Sequence, residues 1–251
     1  MENLKGDDDM KKTIVMVLIM SLLFITGCSG GSGTESVETS DGTTETVTDN
    51  GVETATQSFD EEKIKSQLEI TELGMYVQPF SNTTCYGYAV EVKNNSDQDI
   101  VLSCQVNFYG SDGSPVGSED SMNSYVNAGG TTLLYADGRM EKPDKAEMEI
   151  FVKEPTHAVL SNQMTTESTL RSDKVIVEMT NNSDMDSEFA CAHVAFYKGD
   201  ELIDCEDCYC INDDNILEAG NTRMGDVGWI GDAAVDTVKV YPNAESKDRI
   251  D

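Results

Sequence analysis

From Tyr88 onward, apolar and polar residues alternate along much of the chain with a period of two. Tyr88, Val90 and Val92 interleave with Ala89, Glu91 and Lys93, and after a polar break Ile100, Leu102, Cys104, Val106 and Phe108 resume the alternation. That period predicts strands with one face turned to a core. The break between them, Asn94-Asn95-Ser96-Asp97, is rich in turn-forming side chains, so the two runs read as a half-buried hairpin. Val175, Val177 and Met179 repeat the first run, followed by Asn181-Asn182-Ser183-Asp184, the same tetrapeptide 87 residues later. "NAGGTTLL" from Asn127 then matches "EAGNTRMG" from Glu218, and "AEMEIFV" from Ala146 matches "DTVKVYP" from Asp236. The chain is therefore an internal duplication of a β-rich unit. Between Cys191 and Val194 the second copy holds one residue more than the first does between Cys104 and Val106, which predicts a β-bulge there. A short helix is predicted near Glu61 to Leu68.

Short strands and polar turns such as Ser111-Asp112-Gly113 and Lys198-Gly199-Asp200 point to an all-β fold: two tandem immunoglobulin-like antiparallel β-sandwich domains, residues 59–154 and 155–251. The Cys-Trp-Cys signature of antibody domains is absent. The pattern "VEVKNNSD…V.FYGSDGSPV…NAGGTT" resembles the FxLYD type of immunoglobulin-like domain. The second copy is similar to lipoproteins of clostridia and related Gram-positive bacteria that carry two such domains, a resemblance over most of residues 68 to 242. It implies fold and location and no reaction.

Ahead of the duplication the pattern changes twice. Met10, Lys11 and Lys12 precede an apolar run from Thr13 to Ile25. That run falls short of the roughly 20 residues a membrane span needs and suits a secretory signal. It ends in Ile25-Thr26-Gly27-Cys28, which resembles a bacterial lipobox. The resemblance implies cleavage of residues 1–27 and a diacylglyceryl group on the Cys28 thiol, whose two acyl chains anchor the protein stably in a bilayer. The acids of "MENLKGDDD" suit a signal poorly. Codons for Lys5-Gly6-Asp7 can contain a ribosome-binding core, so Met10 is a candidate start, to be checked by where ribosome footprints begin. Residues 28–58 are Ser, Thr, Gly, Glu and Asp with almost no apolar side chain, a composition that predicts a disordered tether with a reach of roughly 30 Å.

With 17 basic and 47 acidic side chains the net charge is −30. Such a field repels nucleic acid and favours cations or basic partners. The expected partners are the lipid bilayer, through Cys28, and an unidentified protein or polysaccharide. The expected location is the outer face of the cell membrane.

Candidate chemistry gathers late in the chain. Cys205-x-x-Cys208-x-Cys210, with Cys191 and His193 on the preceding strand, offers zinc-type ligands. A turn at Gly199 and Asp200 sets Cys191 opposite Cys208 as a candidate disulfide, while alternation sends Cys205 to the other face, and a register slip of one would reverse this. Cys104 reads as a small core residue and Cys85 has no evident partner. Asn212 to Asn215 offers oxygens but lacks the spacing of a twelve-residue calcium loop. Tyr76, Tyr209 and Trp229 are candidates for a sugar-stacking surface. His157 and His193 suggest no Ser/His/Asp constellation, and no phosphate loop appears, so no enzymatic activity and no cofactor are expected. The functional expectation is a membrane-anchored binding module; the alternative is a metal-binding or redox-responsive lipoprotein using Cys191, Cys205, Cys208 and Cys210.

Overall fold

The computed structural model describes residues 58–80, 82–231 and 233–250. The signal segment, Cys28 and all of the tether but Ser58 lie outside the described residues.

A one-turn helix, α1 (Glu61–Lys65), opens the described chain, with the Asp60 side chain accepting from the Lys63 N–H at 3.1 Å as its N-cap. Seven strands follow: β1 (Leu68–Phe80), β2 (Thr83–Asn94), β3 (Ile100–Tyr109), β4 (Pro115–Asp120), β5 (Ser124–Val126), β6 (Thr131–Arg139) and β7 (Lys145–Lys153). They form two antiparallel sheets, β1-β2-β6 and a second in which β3 pairs with β4 and β5 along one edge and β7 along the other. Val90, Val92, Ile100, Leu102, Val106 and Phe108 fill the core between them, together with Cys104.

The second set is β8 (His157–Val159), β9 (Met164–Leu170), β10 (Val175–Asn181), β11 (Ser187–Lys198), β12 (Glu201–Tyr209), β13 (Ile216–Leu217), β14 (Thr222–Val227) and β15 (Thr237–Arg249). Here the sheets are β9-β10-β14 and β12-β11-β15-β8, with β13 pairing the start of β11. All of this is antiparallel β-sandwich architecture, as the alternation indicated.

Two local readings are corrected. The expected hairpin does not form: β2 and β3 lie in opposing sheets, as do β10 and β11. Both strands of each pair bury one parity of residue in the same core, one from each side, and alternation alone cannot separate that from adjacent pairing. The Asn-Asn-Ser-Asp segment is a corner between sheets. Asn94 is fully buried; its Oδ1 accepts from the Ser96 N–H at 3.0 Å and the Ser96 hydroxyl at 2.7 Å, and its Nδ2 donates to the Gln98 and Asn127 carbonyls at 2.8 and 3.1 Å. Asn181 repeats the set with Ser183, Met185 and Leu217 at 3.0, 2.7, 2.8 and 3.1 Å. The matched "AGG" and "AGN" segments complete each corner. Gly129 and Gly220 adopt φ of 74° and 73°, a left-handed conformation suited to glycine, and donate their N–H groups to the Asn94 and Asn181 carbonyls at 2.8 Å.

The bulge also sits elsewhere. The register of β11 against β15 shifts between Glu188 and Cys191, and Phe189 takes φ of 52°. Ala192 therefore occupies the core position that Cys104 holds in the first copy, and Cys191 turns outward.

The outward face of β11 is not solvent. Ala195, Tyr197, Leu202, Cys205 and Tyr241 pack against Tyr76, Ala89 and Leu133 of the first sandwich. The sheet β12-β11-β15 is thus covered on both sides, by its own core and by sheet β1-β2-β6. Gln78 donates to Asp204 at 2.7 Å, Tyr241 to Glu91 at 2.5 Å, and Asn243 accepts from the Tyr125 N–H at 2.7 Å across the same junction. Four sheets stack into one body.

Candidate functional site at the sandwich junction

β11 and β12 pair so that His193 stands opposite Asp207, Cys191 opposite Tyr209 and Ala192 opposite Cys208. Successive residues alternate faces, so His193, Cys191 and Asp207 all turn toward the first sandwich. His193 Nδ1 meets Asp207 Oδ1 at 2.5 Å and its Nε2 meets the Ser124 hydroxyl at 3.1 Å. With the proton on Nδ1 facing the carboxylate, Nε2 accepts from Ser124. The Tyr135 ring stands edge-on to the imidazole at 6.1 Å.

Burial raises the Asp207 carboxyl, but the hydrogen bond and charge of His193 and the hydrogen bond of Tyr135 outweigh it and hold the group below its ordinary value. Cys191 behaves oppositely: burial, then the Asp207 charge, push its thiol up to about 12, although Asn243 Nδ2 approaches Sγ at 3.6 Å. Around them carboxylates crowd with little countercharge. Asp204 is fully buried and pushed up to about 6 by burial, against the opposing hydrogen bonds of the Ile230 N–H, Gln78 and the Cys205 N–H. Glu206 is pushed up to about 8 by burial and then by the charges of Asp204, Asp137 and Asp207.

Two neighbouring concavities open here. A cavity of about 190 Å³ is lined by Ser121, Ser124, Tyr135, Asp137, His193 and Asp207 among others. A groove of about 390 Å³ is lined by Tyr125, Phe189, Cys191, Tyr209 and Asn243. Met122 borders both, and the Tyr209 hydroxyl lies 3.7 Å from its sulfur. Phe189, Met122 and Tyr209 are 53%, 52% and 42% exposed, an apolar rim above a polar floor.

The residues predicted for the site scatter. Cys191 and His193 meet at the junction and Cys205 is buried between the sandwiches, but Cys208 and Cys210 belong to the core of the second sandwich. The expected bridge between Cys191 and Cys208 is corrected accordingly: the two thiols point to opposite faces, and Cys85, Cys104, Cys191, Cys205, Cys208 and Cys210 are all free. The register shift near Ile203 moved the pairing of β11 with β12 by one. The same shift concealed Asp207, which only the true register sets against His193. Ser124 was missed because it comes from the other sandwich. The series Ser124, His193, Asp207, which the sequence did not suggest, joins the two sandwiches; its serine is 1% exposed and also lies 3.4 Å from the Leu133 carbonyl.

The sugar-stacking candidates do not converge. Tyr76 is buried and donates to Asp137 at 3.0 Å, while Trp229 leans on Phe196 at 5.6 Å and donates to the Ala233 carbonyl at 2.8 Å. Asn212 to Asn215 is an Asx turn, Asn212 Oδ1 accepting from the Asp214 and Ile216 N–H groups at 2.8 and 2.9 Å.

The chain matches no protein-family model and no curated protein. Among solved structures it is similar to red sea bream transglutaminase, at 10% identity and a TM-score of 0.24, over 71% of this chain and 29% of the transglutaminase. The chain thus spans less than a third of the length of that protein, and so remote a likeness carries no argument about activity.

Proposed function

We propose that the protein is a lipoprotein held at the outer face of the cell membrane through Cys28, and that its two-sandwich body is a binding module that takes a cationic peptide segment in the junction cleft. The carrying observation is Phe189. A bulky residue at φ of 52° is held in a conformation that costs energy, yet its side chain is 53% exposed, so the strain is not offset by burial. What the strain accomplishes is presentation of an aromatic group beside Met122 and Tyr209, at the rim of a cleft that Asp120, Asp137 and Asp207 line. Apolar anchors next to carboxylates suit a ligand carrying Lys or Arg among apolar side chains, and the charge of −30 would speed its approach.

The test uses two labelled peptides, one alternating Lys with Phe and one alternating Glu with Phe. The Lys peptide is expected to bind at least about tenfold more tightly, with Phe189→Ser costing about tenfold, the size of one aromatic hot spot. Equal binding of both peptides, or binding untouched by Phe189→Ser, would overturn the reading. So would a neutral polysaccharide whose binding Phe189→Ser abolishes.

A further inference from the structure

We propose that Cys191, His193 and Asp207 form a binding site for one divalent metal ion of the zinc class at the floor of the cleft. One ligand atom from each residue lies within 4.8 Å of the other two. A tetrahedral centre with bonds of about 2.0 to 2.3 Å places its donors about 3.3 to 3.8 Å apart, so closure needs side-chain rotations of no more than about 1.5 Å. The backbone already supplies the geometry: Cys191 and His193 are two apart on one face of β11, and Asp207 is directly across on β12.

The donor set selects the ion. One sulfur, one nitrogen and one carboxylate oxygen suit zinc and its borderline neighbours and suit calcium or magnesium poorly. On binding, the Cys191 thiol loses its proton to solvent. The resulting thiolate and the Asp207 carboxylate balance the two positive charges of the ion, with His193 neutral. Three protein ligands leave the fourth position to water or to a group entering from the cleft.

Surrounding residues supply the outer contacts that orient metal ligands. Asn243 Nδ2 stands 3.6 Å from the Cys191 sulfur, and the Tyr135 hydroxyl bonds to Asp207. Ser124 serves either state of the histidine. Without metal it donates to Nε2; with Nδ1 on the metal, Nε2 becomes the donor, and the hydroxyl accepts while turning its own proton toward the Leu133 carbonyl at 3.4 Å. The cysteines of the sequence motif have no part in the site: Cys208 and Cys210 lie in the core of the second sandwich.

Full-length protein in detergent, stripped by chelator under reducing conditions, would be titrated with Co²⁺ and followed by absorption. One equivalent is expected to bind, giving a thiolate-to-cobalt charge-transfer band in the near ultraviolet and the strong visible bands of four-coordinate cobalt, all removed by Zn²⁺. Cys191→Ser should delete the near-ultraviolet band, Asp207→Asn should weaken Co²⁺ binding at least tenfold, and Cys208→Ser should leave both readouts unchanged. Failure of the wild-type protein to take up one equivalent overturns the proposal whatever the variants do. A charge-transfer band that survives in Cys191→Ser, or vanishes in Cys208→Ser, overturns it as well. The titration uses no peptide, so its outcome and that of the peptide assay are separate.

Discussion

Asn181→Ala is expected to lower the unfolding free energy by about 3 kcal/mol, and Asn94→Ala by a similar amount. Each asparagine is fully buried and makes four hydrogen bonds: Oδ1 accepts two, from the N–H and hydroxyl of a serine, and Nδ2 donates two, to carbonyls of separate loops. Alanine would leave the serine N–H and hydroxyl without their acceptor and take one donor from each of the two carbonyls, although Gln98, Asn127 and Met185 keep a second donor from Ser96, Gly130 and Ser183. The cost is about 1 to 3 kcal/mol for each group left unsatisfied, less what water entering the small space restores. Asn181→Asp also fails, because a carboxylate cannot donate to the Met185 and Leu217 carbonyls. Ser183→Ala removes less, about 1 kcal/mol, since Asn181 keeps three of its bonds. Urea unfolding of the four variants measures this order, and an Asn181→Ala loss below 1 kcal/mol would show that the corner holds without its asparagine.

Stability is expected to fall by about 3 kcal/mol between pH 5 and pH 8, the reverse of ordinary acid denaturation. Asp204 and Glu206 are carboxyls whose folded values are raised, to about 6 and about 8. In the unfolded chain they ionise near 3.9 and 4.3, so above those values the unfolded state binds fewer protons than the folded one. Folding therefore weakens as pH rises and levels off only when Glu206 has ionised in place, near pH 8. One pH unit of such imbalance is worth about 1.4 kcal/mol, and solvent screening of the partly exposed Glu206 cuts its share by about half. Asp207 acts with the opposite sign, because its folded value is depressed; its contribution is present above about pH 4 and is lost on acidification below that. Glu206→Gln keeps the shape and removes the larger titration, so its stability should vary by less than half as much over the same range. Denaturant midpoints measured at pH 5, 6, 7 and 8 decide it, and a flat or rising wild-type profile would sink the idea.

Much of the architecture was readable before any coordinates because the duplication doubled every signal. The Asn-Asn-Ser-Asp pair, the late glycines and the alternation in β2, β3 and β10 all mark features that two copies share. What differs between the copies was harder to read. Alternation does not tell which sheet a strand joins, so β2 and β3 were paired wrongly. It also fails where both faces are covered: in β11 the run Phe189 to Tyr197 is almost wholly apolar, and that continuity, with a histidine set in it, was the available sign of a second buried face. The junction site depends on that second face. Neither Ser124 nor Asp207 could be joined to His193 without the register of one sheet and the docking of another.

The two sandwiches meet by unlike faces, sheet β1-β2-β6 of the first against sheet β12-β11-β15 of the second. In the language of assembly this is a heterologous contact, which by itself does not close and could add copies without limit. The face that would receive the next copy is the outer side of β9-β10-β14, the counterpart of the one bearing Tyr76 and Ala89. Its register sets Glu178 beside Glu167, with Asp226 nearby and all three exposed. Seating another sandwich there would strip water from the facing Glu178 and Glu167 carboxylates and from the exposed Lys174–Asp226 ion pair at 2.9 Å. The acids at the end of the stack thus oppose a third sandwich, a brake on fibre growth in a chain built from a repeat that sticks to its own copy.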